Sequence, residues 1–232
     1  MNYSKNTDRL DIYINDQAKT ITIRQRWKYV WRYDAQKSIK PWAVDEKQYF
    51  HKQAVFLIKS IWETAPRVNI RGDSDFVKSN AGRSFQFRFD IEKVNAGEHW
   101  TISANKVPNG SKFRSWTDWR NGKIVLDILD TGSRVIHFNG HTNYQIPVVH
   151  EFGHAIGNVP SIYGGSQGDE YTVGSPLDSF IRLQDISPYH TDYSSVMNRG
   201  SDLRARHFEY LLRELNTMIS STTFYFNPLA RW

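Results

Sequence analysis

Five consecutive residues, His150, Glu151, Phe152, Gly153 and His154, constrain this chain more tightly than anything else in its 232 residues. Around them Ile146, Val149, Gly153 and Ile156 recur at helical spacing, so the segment from Gln145 to Asn158 is expected to be a helix. Two histidines four apart then share one helix face, where both imidazoles can reach a single ion at about 2.0–2.1 Å. Glu151 comes next to the same ion without having to bind it, which suits a group that moves a proton. A chain of this composition would carry the pattern by chance in roughly one case in a hundred. Gly157, three residues after His154, gives the helix a place to end. A catalytic zinc also needs a third protein donor and an open position for water, and the downstream sequence has to supply the donor.

Composition narrows the donors. There is no cysteine, so a thiolate ligand, a thiol nucleophile and a disulfide are all excluded, and any metal is held by His, Asp or Glu. Lysine and arginine number 30 against 24 acids, a formal charge of +6. The basic residues Lys19, Arg24, Arg26, Lys28 and Arg32 stand singly among aromatics, the pattern of a solvated strand face, so a nucleic-acid partner is not expected. The apolar runs at 54–58 and 123–129 are too short to cross a bilayer, and no membrane span is expected. The first 19 residues are polar and of mixed charge, which reads as synthesis in the cytoplasm without a classical signal peptide.

Periodicity lays out an α+β chain. Alternation predicts a strand over Thr20–Trp31, and Phe50, Ala54, Leu57, Ile58 and Ile61 predict a helix from Asp45 to Ala65, stopped by Pro66. Phe85, Phe87, Phe89 and Ile91 alternate with polar residues, His99–Ala104 follows as another strand, and the intervening VNAGE segment predicts a hairpin between the two. Residues 105–122 read as a long loop, Lys123–Leu129 as a buried strand, the stretch after Asn158 to about Arg199 as irregular, and Leu203–Ser220 as a last helix. No linker rich in Gly, Ser or Pro separates two units, so residues 1–232 are expected to form one domain.

The segment HEFGHAIG resembles the active-site helix of the zincin metallopeptidases, and SSVMNRG at 194–200 resembles the methionine-containing turn of the metzincin branch. The metzincin pattern would place its third histidine at position 160, where this chain has Pro160. The order HEFGH, then DEY at 169–171, then S-V-M-N is similar to zincin-like peptidase domains on bacterial type VI secretion spike proteins and related effectors. That resemblance implies a zincin-like single domain. A twisted mixed sheet in about 1–140 would place an edge strand over the active helix, and about 141–232 would hold that helix, the ligand loop, the methionine turn and a C-terminal helix.

The resemblance also implies a zinc site of gluzincin type, with His150, His154 and Glu170 as ligands and Glu151 as general base of peptide-bond hydrolysis. Glu170 lies 16 residues after His154, far enough for the chain to turn back over a metal. His190 competes for the third place, with Asp192 trailing it, since either donor set can lower the pKa of a bound water toward about 7. Tyr193 and His190 rank level as donors to a tetrahedral oxyanion, ahead of His207, and Met197 reads as a hydrophobic floor beneath the metal. Trp100–Ala104 could supply the substrate-binding edge, or could be an interior strand.

The partners implied are a protein or peptide substrate and, for a secreted antibacterial effector delivered to a target-cell periplasm, a secretion-machine carrier and an immunity protein. Two alternatives use the same residues. One is zinc-dependent hydrolysis of a cell-wall amide; the other is a non-catalytic module for an anionic polymer that keeps zinc for structure.

Overall fold

A computed structural model describes residues 2–35, 39–160, 164, 170 and 188–229. The fold is α+β, organised on one long strand. This strand, β3 (Thr20–Tyr33), follows the N-terminal hairpin of β1 (Asn2–Asn6) and β2 (Asp11–Asn15). Its residues Ile21, Ile23, Gln25 and Trp27 point inward in strict alternation, as a half-buried strand requires. At fourteen residues it is long enough to take several partners. On one side β5 (Ser84–Lys93) pairs parallel with residues 20–27; on the other, β2 pairs antiparallel with 20–24 and β6 (Trp100–Lys106) pairs parallel with 27–33.

The hairpin expected through VNAGE is therefore not formed. Strands β5 and β6 run in the same direction on opposite sides of β3, and the chain crosses at Trp27 and Arg26, whose carbonyls accept from Val94 and His99 N–H. Both strands carry continuous apolar inward faces, so a parallel place on β3 buries more than pairing with each other would.

The sheet continues through β4 (Val68–Gly72) and β11 (Thr222–Phe226) beyond β5. Beyond β6 it continues through β8 (Lys123–Asp127) and ends on β7 (Trp116–Asp118), which runs antiparallel to β8. Trp100–Ala104 is thus interior, and the edge at this end comes from the segment read as a loop. A separate hairpin of β9 (Arg134–Phe138) and β10 (His141–Gln145) leads into the histidine helix.

Four helices are present among the described residues. In α1 (Val44–Trp62), Phe50, Ala54, Ile58 and Trp62 fall every four residues and form its buried stripe; Glu46 accepts the Ala43 N–H at 2.8 Å at the helix start. The short α2 (Asp75–Ser79) is capped by Ser74. The third, α3 (Pro147–Ala155), carries the paired histidines. The expected C-terminal helix is shorter than its periodicity suggests: a 3-10 turn, Ala205–Phe208, leads into α4 (Glu209–Leu215), and the chain then turns to make β11. Asn216 breaks the continuation by tying its amide side chain to the backbone of Phe224 at both N–H and C=O. No described helix is long and apolar enough to cross a membrane.

Trp62 joins these layers. Its ring meets Phe89 of the sheet, Phe152 of α3 and Phe208 at centroid distances of 6.4, 5.9 and 5.5 Å, and its indole N–H donates to the Val149 carbonyl at 3.2 Å. Trp62→Ala is expected to cost about 3–5 kcal/mol through the cavity it leaves. Urea unfolding would measure this, with the midpoint falling at little change in slope.

Candidate metal centre

The site is built on α3, whose faces are almost wholly enclosed: Val148, Val149, Phe152, Ala155 and Ile156 pack into the core. Pro147 opens the helix at a position where its missing N–H costs no bond. Gly157 closes it with φ of 106°, its N–H bonding the His154 carbonyl at 3.0 Å while Asn158 N–H bonds that of Gly153 at 3.1 Å. The glycine stop expected from sequence is present, and it has a second cause. A Cβ at Gly157 would lie 2.2 Å from the Tyr210 ring. From the sheet, Gln25 Nε2 donates to the Ala155 carbonyl at 2.6 Å, so β3 holds the C-terminal end of α3 directly.

His150 and His154 lie side by side with ring centroids 5.0 Å apart and planes at 87°. Each Nδ1 faces a backbone carbonyl: Val196 O at 2.7 Å for His150 and Asn158 O at 2.6 Å for His154. A carbonyl only accepts, so each ring carries its proton on Nδ1, which leaves Nε2 as the basic nitrogen. This arrangement sets the tautomer and orientation that a metal-ligating imidazole needs. Glu151 is buried between them in sequence, and its Oε2 accepts from the Thr117 hydroxyl on edge strand β7 at 2.8 Å. Beneath the helix, Met197 and Trp62 close on Gly153, where a Cβ would fall 2.3 Å from Met197 Sδ.

The other expected residues are placed differently. Among the described residues no third His, Asp or Glu gathers with the two histidines. Glu170 is buried, with Arg206 donating to both carboxylate oxygens and His207 Nε2 3.2 Å from Oε1. Burial pushes its pKa up, but hydrogen bonds from His207, Arg206 and Ser195 outweigh that and hold it down at about 2. The structure thus commits the Glu170 carboxylate to an ion pair rather than to the histidine pair, because the guanidinium of Arg206 supplies the charge partner that a buried acid requires. Asp169 and Tyr171 of the DEY motif lie outside the described residues.

His190 has an exposed side chain, and its carbonyl accepts from Asn198 Nδ2 at 3.2 Å. Tyr193 leans on the β9–β10 hairpin, its ring 5.4 Å from Phe138 and 5.1 Å from His141, with Asn139 donating to its hydroxyl at 3.2 Å. Asp192 is taken by Arg204 in a two-point pair at 2.9 and 2.8 Å. Thr117 escaped the sequence reading because its segment lacks a sustained period, and Arg206 because nothing in its neighbours announces a buried partner.

The N-terminal end of α3 rests on a second buried charge cluster. Asp127 and Asp130 are fully buried beside Arg134, Ser115 donates to Asp130, and the Asp130 carbonyl accepts the Val148 N–H at 3.2 Å. Burial and the neighbouring charge of Asp127 push Asp130 up to about 7. A carboxyl raised in the folded state contributes stability that is present below the unfolded value of 3.8 and lost as pH rises through about 7. Glu170 has the opposite sign: its contribution is present above 4.5 and lost as pH falls toward about 2. Thermal unfolding across this range should show the first loss in the native chain and its removal in Asp130→Asn.

Thr117→Val is expected to leave the fold intact and free the Glu151 carboxylate to swing. The expected consequence is a displaced and broadened Glu151 side-chain carboxyl resonance, checked by carbon-13 NMR on the native and variant proteins. No family model, curated protein or solved structure matches this chain.

Proposed function

We propose that this protein is a zinc-dependent peptidase of zincin type that hydrolyses peptide bonds with Glu151 as general base. The observation that carries the reading is the matched pair of Nδ1 contacts, His150 to Val196 O and His154 to Asn158 O, on a helix whose intervening glutamate is aimed by Thr117. A ligating histidine almost always donates its other ring N–H in this way, and both rings do so here, which leaves each Nε2 as the nitrogen that would bind an ion. The mixed sheet, with antiparallel edge strand β7 bonded to the helix through Thr117 and Glu151, supports the same reading.

The chain's own donors fit two places of a zinc site, His150 and His154; a third His, Asp or Glu does not join them among the described residues. Zinc held by His150 and His154 would supply a Lewis acid able to polarise a carbonyl and lower the pKa of a water. Glu151 accepts the proton of that water and returns it to the leaving amine. Thr117 keeps Oε2 of Glu151 in one orientation, so the base is set before substrate arrives. Strand β7 is the last strand of the sheet among the described residues, and its outer edge would take an extended peptide.

Metal analysis of the purified protein should find one zinc per chain, and His150→Ala or His154→Ala should lose it together with thermal stability. Glu151→Ala should keep zinc and fold while activity on casein drops at least about a hundredfold. Purified cell wall, with and without chelator, serves as the second substrate and separates a cell-wall amidase from a protein peptidase. Glu170→Gln, scored for zinc content at saturating metal, should keep full occupancy. A chain that holds no zinc overturns the reading.

A further inference from the structure

Resting on the zinc reading of His150, we propose that Glu170, His207 and Ser195 are positioning residues: a buried relay that clamps the turn at Val196–Met197 and thereby fixes the His150 imidazole. Every link in the relay is a hydrogen bond between buried groups. Glu170 holds Met197 from two directions. Its own N–H donates to the Met197 carbonyl at 3.1 Å, and its carboxylate takes the Ser195 hydroxyl, whose oxygen accepts the Met197 N–H at 3.2 Å.

His207 secures the same two partners. Its Nδ1 accepts the Arg204 N–H at 3.0 Å, so the neutral ring carries its proton on Nε2, which lies 3.1 Å from Ser195 Oγ and 3.2 Å from Glu170 Oε1. Arg206 neutralises the carboxylate and is itself shared with Asp192. From the far side, Val196 N–H is held by Asp202 O at 2.8 Å, and Gly200 approaches so closely that a Cβ would lie 2.0 Å from Ser194 O.

The turn therefore has one carbonyl, that of Val196, aimed at His150, and its neighbour Met197 is gripped at both N–H and C=O by the relay. The same turn touches α3 a second time where Met197 Sδ meets Gly153, so its displacement shifts both the acceptor of His150 and the floor of the helix. This assigns the buried acid at 170 a role beside the histidines without coordination. It is the outer partner of a partner: groups bonded directly to a ligating imidazole typically change metal affinity by about ten- to a hundredfold, and the relay acts through one of them, the Val196 carbonyl.

The test reads the imidazole directly. In metal-free protein, nitrogen-15 NMR of the histidine rings should show His150 as the Nδ1–H tautomer; Ser195→Ala and Glu170→Gln should each mix in the other tautomer or protonation state. Both variants should also weaken zinc affinity by about ten- to a hundredfold at unchanged stoichiometry. As a control for mere loss of stability, Ile12→Val in β2 should leave tautomer and affinity unchanged. If Glu170→Gln fails to fold, Ser195→Ala decides, because it keeps the Glu170–Arg206 pair. A His150 tautomer and zinc affinity that stay native in Ser195→Ala overturn the relay, as does complete loss of zinc in Glu170→Gln with Ser195→Ala unaffected, which would make Glu170 a ligand. Native protein that binds no zinc yet shows the tautomer change overturns the metal reading and leaves the relay standing.

Discussion

The indole N–H of Trp62 donating to the Val149 carbonyl is the contact on which the rest of the structure depends. It joins the last turn of α1 to the first turn of α3 by a directional bond, and the same ring fills the space between Phe89, Phe152 and Phe208. Close-packed interiors transmit displacement instead of absorbing it. The helix bearing His150, Glu151 and His154 is thereby given a fixed rotation, with His150 toward the turn at 195–198 and Glu151 toward β7.

Around that anchor, two clusters of buried charge lie close to α3. Asp127, Asp130 and Arg134 support its start; Glu170, Arg206 and Asp192, with His207, surround the turn against which His150 rests. Buried charges contribute little net stability and a strong preference for one geometry, because any misplacement leaves an unpaired group away from water. The opposite signs of the pKa displacements at Asp130 and Glu170 follow from their partners. Asp130 has another carboxylate beside it, whereas Glu170 faces only donors.

Much of the architecture was legible along the chain wherever periodicity and burial coincide. Strand β3, helix α1 and the inward phenylalanines of β5 all appear where alternation or helical spacing places them, because one face of each meets the core. Strand pairing was not legible. The VNAGE segment has the composition of a hairpin turn, yet whether two strands pair with each other or with a third depends on surface buried elsewhere in the sheet. Edge strand β7 is three residues long and half-exposed, so it has no period to detect. The C-terminal end of α4 was set by the bonds of Asn216 to Phe224 and by the long-range pairing of β11 with β4.

The sequence by itself determined the chemistry on offer: two imidazoles one helical turn apart, a glutamate between them, a glycine to end the helix and no thiol anywhere. These are properties of residue type and local spacing, which a helix converts into geometry without reference to the rest of the chain. Only the tertiary structure decided what surrounds that chemistry. It gave Glu170 to Arg206 and His207, Tyr193 to the β9–β10 hairpin, Thr117 to Glu151, and the carbonyls of Val196 and Asn158 to the two histidines. A carboxylate close to a metal motif in sequence is a candidate ligand until packing brings it a cation. Its partner is then set by which charge it is buried beside, and spacing along the chain carries no record of that.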